Sequence, residues 1–122
     1  MFKSEFCEVT HLGDLNAVFC QWKKFCKADD YRDPLLYGLR LINENQLGTW
    51  ITDTSTGFEN EEMDTKWLIE RLMPELIRSS CKEVIFIIDK DSPLQEEIEG
   101  QKEALSLHFK VRLVENLALL KG

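Results

Sequence analysis

Five consecutive apolar side chains at residues 84–88 (VIFII) would be hydrophobic on both faces of an extended chain. They predict a strand inside a sheet that is covered on both sides. Around that run the pattern changes. Phe109, Val111 and Leu113 alternate with Lys110 and Arg112, which predicts a half-buried strand over 109–114, at an edge with its charges outward. Residues 49–53 predict a further strand, ending at Asp53. Residues 6–10 and 15–22 read as an opening hairpin with a turn at 11–14.

Helical spacing fills the gaps. Leu35, Leu36, Leu39 and Ile42 predict a helix capped by Asp33, with Pro34 at its first position and an exit between Asn45 and Gly48. A second helix opens near Asn60, and Met63, Trp67, Leu68, Leu72, Leu76 and Ile77 form its apolar face. Glu61, Glu62 and Asp64 load its first turn with negative charge, which suits the helix dipole. Pro74 lies inside this helix and cannot donate to the Glu70 carbonyl, so a kink or an end to the regular part is expected there. Ser92, Pro93 and Gln95 predict a capped start for a third helix, and Gly100 weakens its middle by roughly 1 kcal/mol relative to alanine. Residues 117–121 suggest one last turn. The order is strand, strand, helix, strand, helix, strand, helix, strand. It predicts one α/β domain with a mixed sheet of about five strands and right-handed helical crossovers.

Composition narrows the function. The chain has 122 residues, 43% of them hydrophobic, and a formal net charge of -7. That sign argues against a nucleic-acid partner, whose phosphates demand lysine and arginine. No apolar run approaches the roughly 20 residues that a membrane-spanning helix needs. The first ten residues lack the apolar core of a secretory signal, so the expected location is the cytoplasm. Cys7, Cys20, Cys26 and Cys81 form no C-x-x-C pair and read as reduced, packed thiols. Cys26, between Lys24 and Lys27, is expected to be the most exposed, with a lowered pKa.

With those elements placed, the spacing of Trp50, Asp53, Trp67 and Pro74, followed by residues 83–88 and the Phe109 strand, resembles the SpoIIAA-like group of STAS-related bacterial proteins. The likeness runs over roughly residues 15–120 as an order of elements. It implies a STAS-like fold and a small non-enzymatic module acting in protein–protein regulation, some of whose relatives bind nucleotides or lipids. In regulatory members of the group a serine at the start of the helix after this strand is phosphorylated, and it controls partner binding. The counterparts here are Ser55 and Thr65, the latter after Asp64. The chain departs from the group in its longer loop, in lacking the small-residue run after that serine, and in a final helix shortened to 117–121.

The residues offer little catalytic chemistry. His11 and His108 have no neighbouring nucleophile and acid in a catalytic order. A calcium loop starting at Asp53 fails, because Phe58 stands where the glycine belongs and Asp64 where a bidentate glutamate belongs. No phosphate-binding glycine motif is present, so no cofactor and no metal are expected. Asp53, Thr54, Ser55, Thr56, Gly57, Glu59, Glu61 and Glu62 make an acidic loop at a strand's carboxyl end, the candidate contact surface for a basic protein partner. A second reading is a small-molecule or lipid pocket under the Pro74 helix, near Met63, Leu72 and Met73. An enzyme is the third. Trp50 and Trp67 are expected to pack against each other; for Trp22, Tyr31 and Tyr37 ordinary packing ranks first, with a partly exposed interface anchor as the alternative, ahead of catalysis. The 109–114 edge leaves a homodimer open, although Lys110 and Arg112 read equally as protection of that edge.

Overall fold

The computed structural model describes residues 1–55, 60–89, 91, 92 and 94–121. Its sheet has six strands in sequential order: β1 (Phe2–Lys3), β2 (Cys7–Leu12), β3 (Ala17–Trp22), β4 (Thr49–Asp53), β5 (Glu83–Ile87) and β6 (Lys110–Val114). The first three are antiparallel, and β3 to β6 are parallel. The predicted α/β class and opening hairpin are present. The sixth strand is β1, two residues too short to carry a periodic signal, which pairs Phe2 with Val9.

Parallel neighbours need crossovers, and helices supply them. Helix α1 (Asp29–Asn45) links β3 to β4. Helices α2 (Glu62–Trp67) and α3 (Met73–Arg78), joined by a π-turn over Leu68–Leu72, link β4 to β5. Helix α4 (Gln95–Leu105) links β5 to β6, and the short α5 (Ala118–Lys121) ends the chain. The alternation of side chains along each strand sorts two cores. Cys7, Val9, Val18, Cys20, Trp22, Trp50, Val84, Phe86 and Ile88 join Leu35 and Ile42 of α1, Leu72 and Leu76 near the π-turn, and Ile98 and Leu105 of α4. Ala17, Ile51, Ile85 and Ile87 face the other way, under Leu15, Phe19, Leu117 and Leu120. All five side chains from Val84 to Ile88 are buried, as the run at 84–88 predicts. Strand β6 is an edge, and its Arg112 pairs with Glu83 at 3.1 Å.

Helix α1 corrects one expectation. It begins at Asp29, so Asp33 is not its cap and Pro34 is interior. Two contacts make this tolerable. The Ala28 carbonyl accepts the Arg32 amide at 2.9 Å, closing the first turn. Pro34 has no N–H to give the Asp30 carbonyl four residues back. The Cys26 thiol donates to that oxygen instead, at 3.6 Å. The helix leaves through Gln46, whose φ of 53° lies in the left-handed region while Leu47 N–H bonds the Ile42 carbonyl.

Proline 74 acts as expected, with a refinement. The regular α-helix stops ahead of it, and the Met73 amide reaches back five residues to the Leu68 carbonyl. That extra residue absorbs the missing Pro74 donor, and α3 starts with the proline in its first turn. At α4 the Ser92 hydroxyl accepts the Leu94 amide at 3.1 Å, and the helix proper begins at Gln95. Pro93, expected at its first position, lies outside the described residues.

Candidate functional site

In open parallel sheets, ligands collect beyond the carboxyl ends of the strands. At that end of β3, β4 and β5 the inner face of this sheet is incompletely filled. A cavity of about 100 Å³ remains between sheet and helices. Trp22, Trp50, Thr52, Thr54, Val84 and Phe86 form its floor; Leu68, Leu72, Met73 and Leu76 form its roof. Helix α4 closes one side with Leu94, Ile98 and Leu105, and α1 the other with Tyr31 and Leu35.

The roof follows from the π-turn. Leu72 and Leu76, four residues apart, are buried toward the sheet, and Leu68 is half-buried. Short π segments recur where a helix borders a binding site. The pocket expected near Leu72 and Met73 is therefore present, but Met63 takes no part in it. Met63 faces solvent, 61% exposed.

The polar groups of the cavity are few. Thr52 follows Trp50 on the same face of β4, and its Oγ1 accepts the Trp50 indole N–H at 2.9 Å. Although Thr52 is set in register between Cys20 and Phe86 on two paired strands, it is only half-buried, because the cavity stands above it. The Thr54 amide and hydroxyl both donate to the Ile87 carbonyl, at 2.9 and 2.8 Å. The Tyr31 ring stacks on Trp22 with centroids 5.2 Å apart, and its hydroxyl accepts the Asn60 amide at 3.0 Å. Burial, with help from Cys20 and Asp64, pushes the Tyr31 phenol well above its ordinary pKa. Glu97 and Gln101 stand at the rim, and Glu97 is the one charged side chain among the described residues that line the cavity.

The acidic loop is less available than its sequence suggests. Asp53 and Thr54 are buried. The Asp53 carboxylate points to the opposite face of the sheet and accepts the Ser55 amide at 2.9 Å and its hydroxyl at 2.6 Å, an Asx turn. Ser55 is exposed, yet its hydroxyl is engaged by that carboxylate. Thr56, Gly57 and Glu59 lie outside the described residues. Glu61 and Glu62 are exposed. Thr65 is half-buried in the first turn of α2, beside the buried carboxylate of Asp64.

Asp64 is the residue that sequence reading passed over as one more helix-start acid. It is 1% exposed. Its Oδ1 accepts Arg32 Nε at 3.1 Å and its Oδ2 accepts the Ala28 amide at 3.0 Å. Ala28 has φ 54° and ψ −129°, a conformation that alanine rarely adopts. The carboxylate thus fixes the strained entry to α1, and it couples α1 to α2 beside the Tyr31 wall of the cavity. Arg32 also lies 5.5 Å from the Trp67 ring.

Several other expectations are corrected. Trp22 and Tyr31 are buried, 6% and 4% exposed, so the alternative of a surface anchor falls for both and the packing ranked above it holds. Trp67 packs edge-on to Tyr31 at 6.5 Å, whereas Trp50 lies under α1 against Gly38. Cys26 is buried, and burial, with Cys7 and Asp30 adding to it, pushes its thiol up to about 12 rather than down. The lysines beside it in sequence are exposed. Cys7 and Cys20 approach to 3.5 Å between sulfurs, and burial drives the Cys20 thiol well up as well. Burial also raises Cys81, to about 11.

These thiols make alkaline stability a test of the packing. A group whose native pKa lies above its unfolded value stabilises the fold fully below the unfolded pKa. That contribution fades as pH rises toward the native value. For Cys26 and Cys81 the window opens near pH 9 and runs to about 12 and about 11. Each thiol is expected to remove less than the one-proton limit of about 1.4 kcal/mol per pH unit inside it. Urea unfolding between pH 8 and 10.5, compared with a Cys81→Ala variant, reads this directly. The variant is expected to lose stability less steeply, and an identical slope would contradict the burial of Cys81.

His11 and His108 are both exposed. Among the described residues no group of three histidine, cysteine or acidic side chains is placed to hold a metal ion, and no helix is long and apolar enough to cross a membrane. No protein-family model, no curated protein and no solved structure matches this chain.

Proposed function

We propose that this chain is a STAS-like, non-enzymatic binding module whose ligand is a small molecule held at the carboxyl ends of β3, β4 and β5. The observation that carries this reading is the cavity of about 100 Å³, with an apolar lining interrupted by a few hydroxyls and bordered by a π-turn. Drug-sized ligands fill roughly 300–1,000 Å³, so the occupant is smaller, and an acyl lipid chain is too large. Catalysis has little to work with at this position. Among the described residues the lining offers one carboxylate and no histidine, cysteine or lysine. The STAS-like assignment is supported by the order of elements, a hairpin followed by three helix–strand units.

A ligand-observed NMR screen of small neutral fragments tests the reading. Hits are expected against the natural chain, and they are expected to vanish in Leu68→Phe, where a phenyl ring takes up space at the half-buried roof. Fragments that bind both proteins alike, or neither, would overturn it.

A second reading has its own support. Glu61, Glu62 and Met63 all face solvent at the opening of α2, a surface suited to a basic protein partner in cytoplasmic regulation. Affinity capture with the natural chain and with Glu61→Lys/Glu62→Lys is the test. Partners held through this surface are expected to be lost on charge reversal, mainly through slower association at low salt. Retention of the same partners would count against it.

A further inference from the structure

The lining of the cavity specifies more than its size. Thr52 Oγ1 uses a lone pair to receive the Trp50 indole N–H, which leaves its own O–H to donate. The Tyr31 oxygen is in the same position, because it receives the Asn60 amide. Thr54 is the reverse: its proton goes to the Ile87 carbonyl. Two hydroxyl donors therefore line a space to which the described residues bring no cation to balance an anionic guest. Bringing an anion into it would strip the ion of water, offer no counter-charge, and set it near the Glu97 carboxylate. A cationic guest would meet the Glu97 carboxylate only at the rim; deeper in it would lose its water against aliphatic walls, and the two donors would face it with the wrong end of their dipoles.

Building on the small-molecule reading above, we infer that the cavity selects a neutral, mostly apolar molecule of about five to eight non-hydrogen atoms carrying one carbonyl or ether oxygen, which Thr52 and Tyr31 receive as donors. Burial keeps the Tyr31 phenol protonated well past neutral pH, so this donor stays in place across the ordinary range. The geometry also assigns specificity. The apolar walls bind any compact hydrocarbon, and the two hydroxyls separate a ketone from an alkane of the same shape.

Four probes of one shape test this: cyclopentanone, cyclopentane, cyclopentanecarboxylate and cyclopentylamine, titrated into the isotope-labelled full chain and followed by amide and methyl shifts. Cyclopentanone is expected to bind tightest, with shifts centred on Thr52, Leu72 and Val84. Thr52→Val keeps the shape and removes the donor. It is expected to weaken cyclopentanone about five- to ten-fold and to leave cyclopentane unchanged. Tyr31→Phe provides the same comparison from the α1 wall should Thr52→Val fold poorly. Cyclopentane binding as tightly as the ketone would overturn the inference while leaving a ligand cavity standing. So would the carboxylate or the amine binding tightest, or a ketone-to-alkane ratio unmoved by both variants. Binding of none of the four, together with no fragment hits, would remove the cavity reading and the inference with it.

Discussion

Replacing Arg32 by methionine is expected to lower the unfolding free energy by about 3–5 kcal/mol, the cost of leaving one member of a buried ion pair without its partner. The asymmetry of the pair makes Arg32 the informative side. Asp64 is almost wholly buried, whereas the Arg32 side chain is 31% exposed. Removing the carboxylate lets the guanidinium turn to water, but removing the guanidinium leaves the carboxylate with little more than the Ala28 amide. Arg32→Met/Asp64→Leu is expected to lose less than Arg32→Met alone, since an apolar pair of similar volume avoids the stranded charge. Its remaining deficit reports the Ala28 amide, which then has no acceptor in the strained turn before α1. Urea unfolding followed by tryptophan fluorescence measures all three proteins. A loss below about 1 kcal/mol for Arg32→Met would place the pair among ordinary surface bridges.

Gly38→Ala is the second large effect, and its sign runs against helix propensity. In a solvent-facing helix interior, alanine stabilises by about 1 kcal/mol over glycine. Gly38 lies in the middle of α1, buried against Trp50. A methyl group there would meet two carbons of the indole ring at 2.5 and 2.9 Å, closer than such atoms can approach. Either α1 lifts from the sheet or the ring moves. The ring is tied by its N–H to Thr52 and forms part of the floor of the cavity. A net destabilisation of about 1–3 kcal/mol is expected, typical of an overpacked core. Because Trp50 and Thr52 move together, fragment binding is expected to weaken as well. Calorimetric melting shows the sign, and an alanine variant more stable than the natural chain would contradict the close packing of α1 on β4.

What the sequence disclosed depended on periodicity. The strands at 84–88 and 109–114 were legible because a two-sided apolar run and a strict alternation each have one structural solution. Pro74 was legible because a missing N–H acts locally, whatever the tertiary context. Pro34 misled for the complementary reason. Asp-Pro is a good local signal for a helix start, but tertiary contacts from Asp64 and a thiol from Cys26 let α1 begin earlier. Asp64 itself carried no usable signal, since a helix-start aspartate reads the same whether it faces water or is buried against an arginine 32 residues away. The pocket was half visible, in Pro74, Leu72 and Met73. Its floor was not, because Thr52 differs from any other strand threonine only in what fails to cover it. For Trp22 and Tyr31 the charged neighbours kept an exposed alternative open, but Lys23 and Lys24 follow the end of β3 and are exposed, while Arg32 reaches in to the buried Asp64.

The central claim is an accessible, apolar space between β4 and the π-turn, and xenon tests it most directly. Dry apolar cavities of this order take up xenon without rearrangement. In crystals pressurised with the gas, anomalous scattering is expected to reveal one strong site bounded by Trp50, Thr52, Leu72 and Phe86. The same crystals showing xenon elsewhere, or none, with Leu72 and Leu76 closed down onto β4 and β5, would contradict the account.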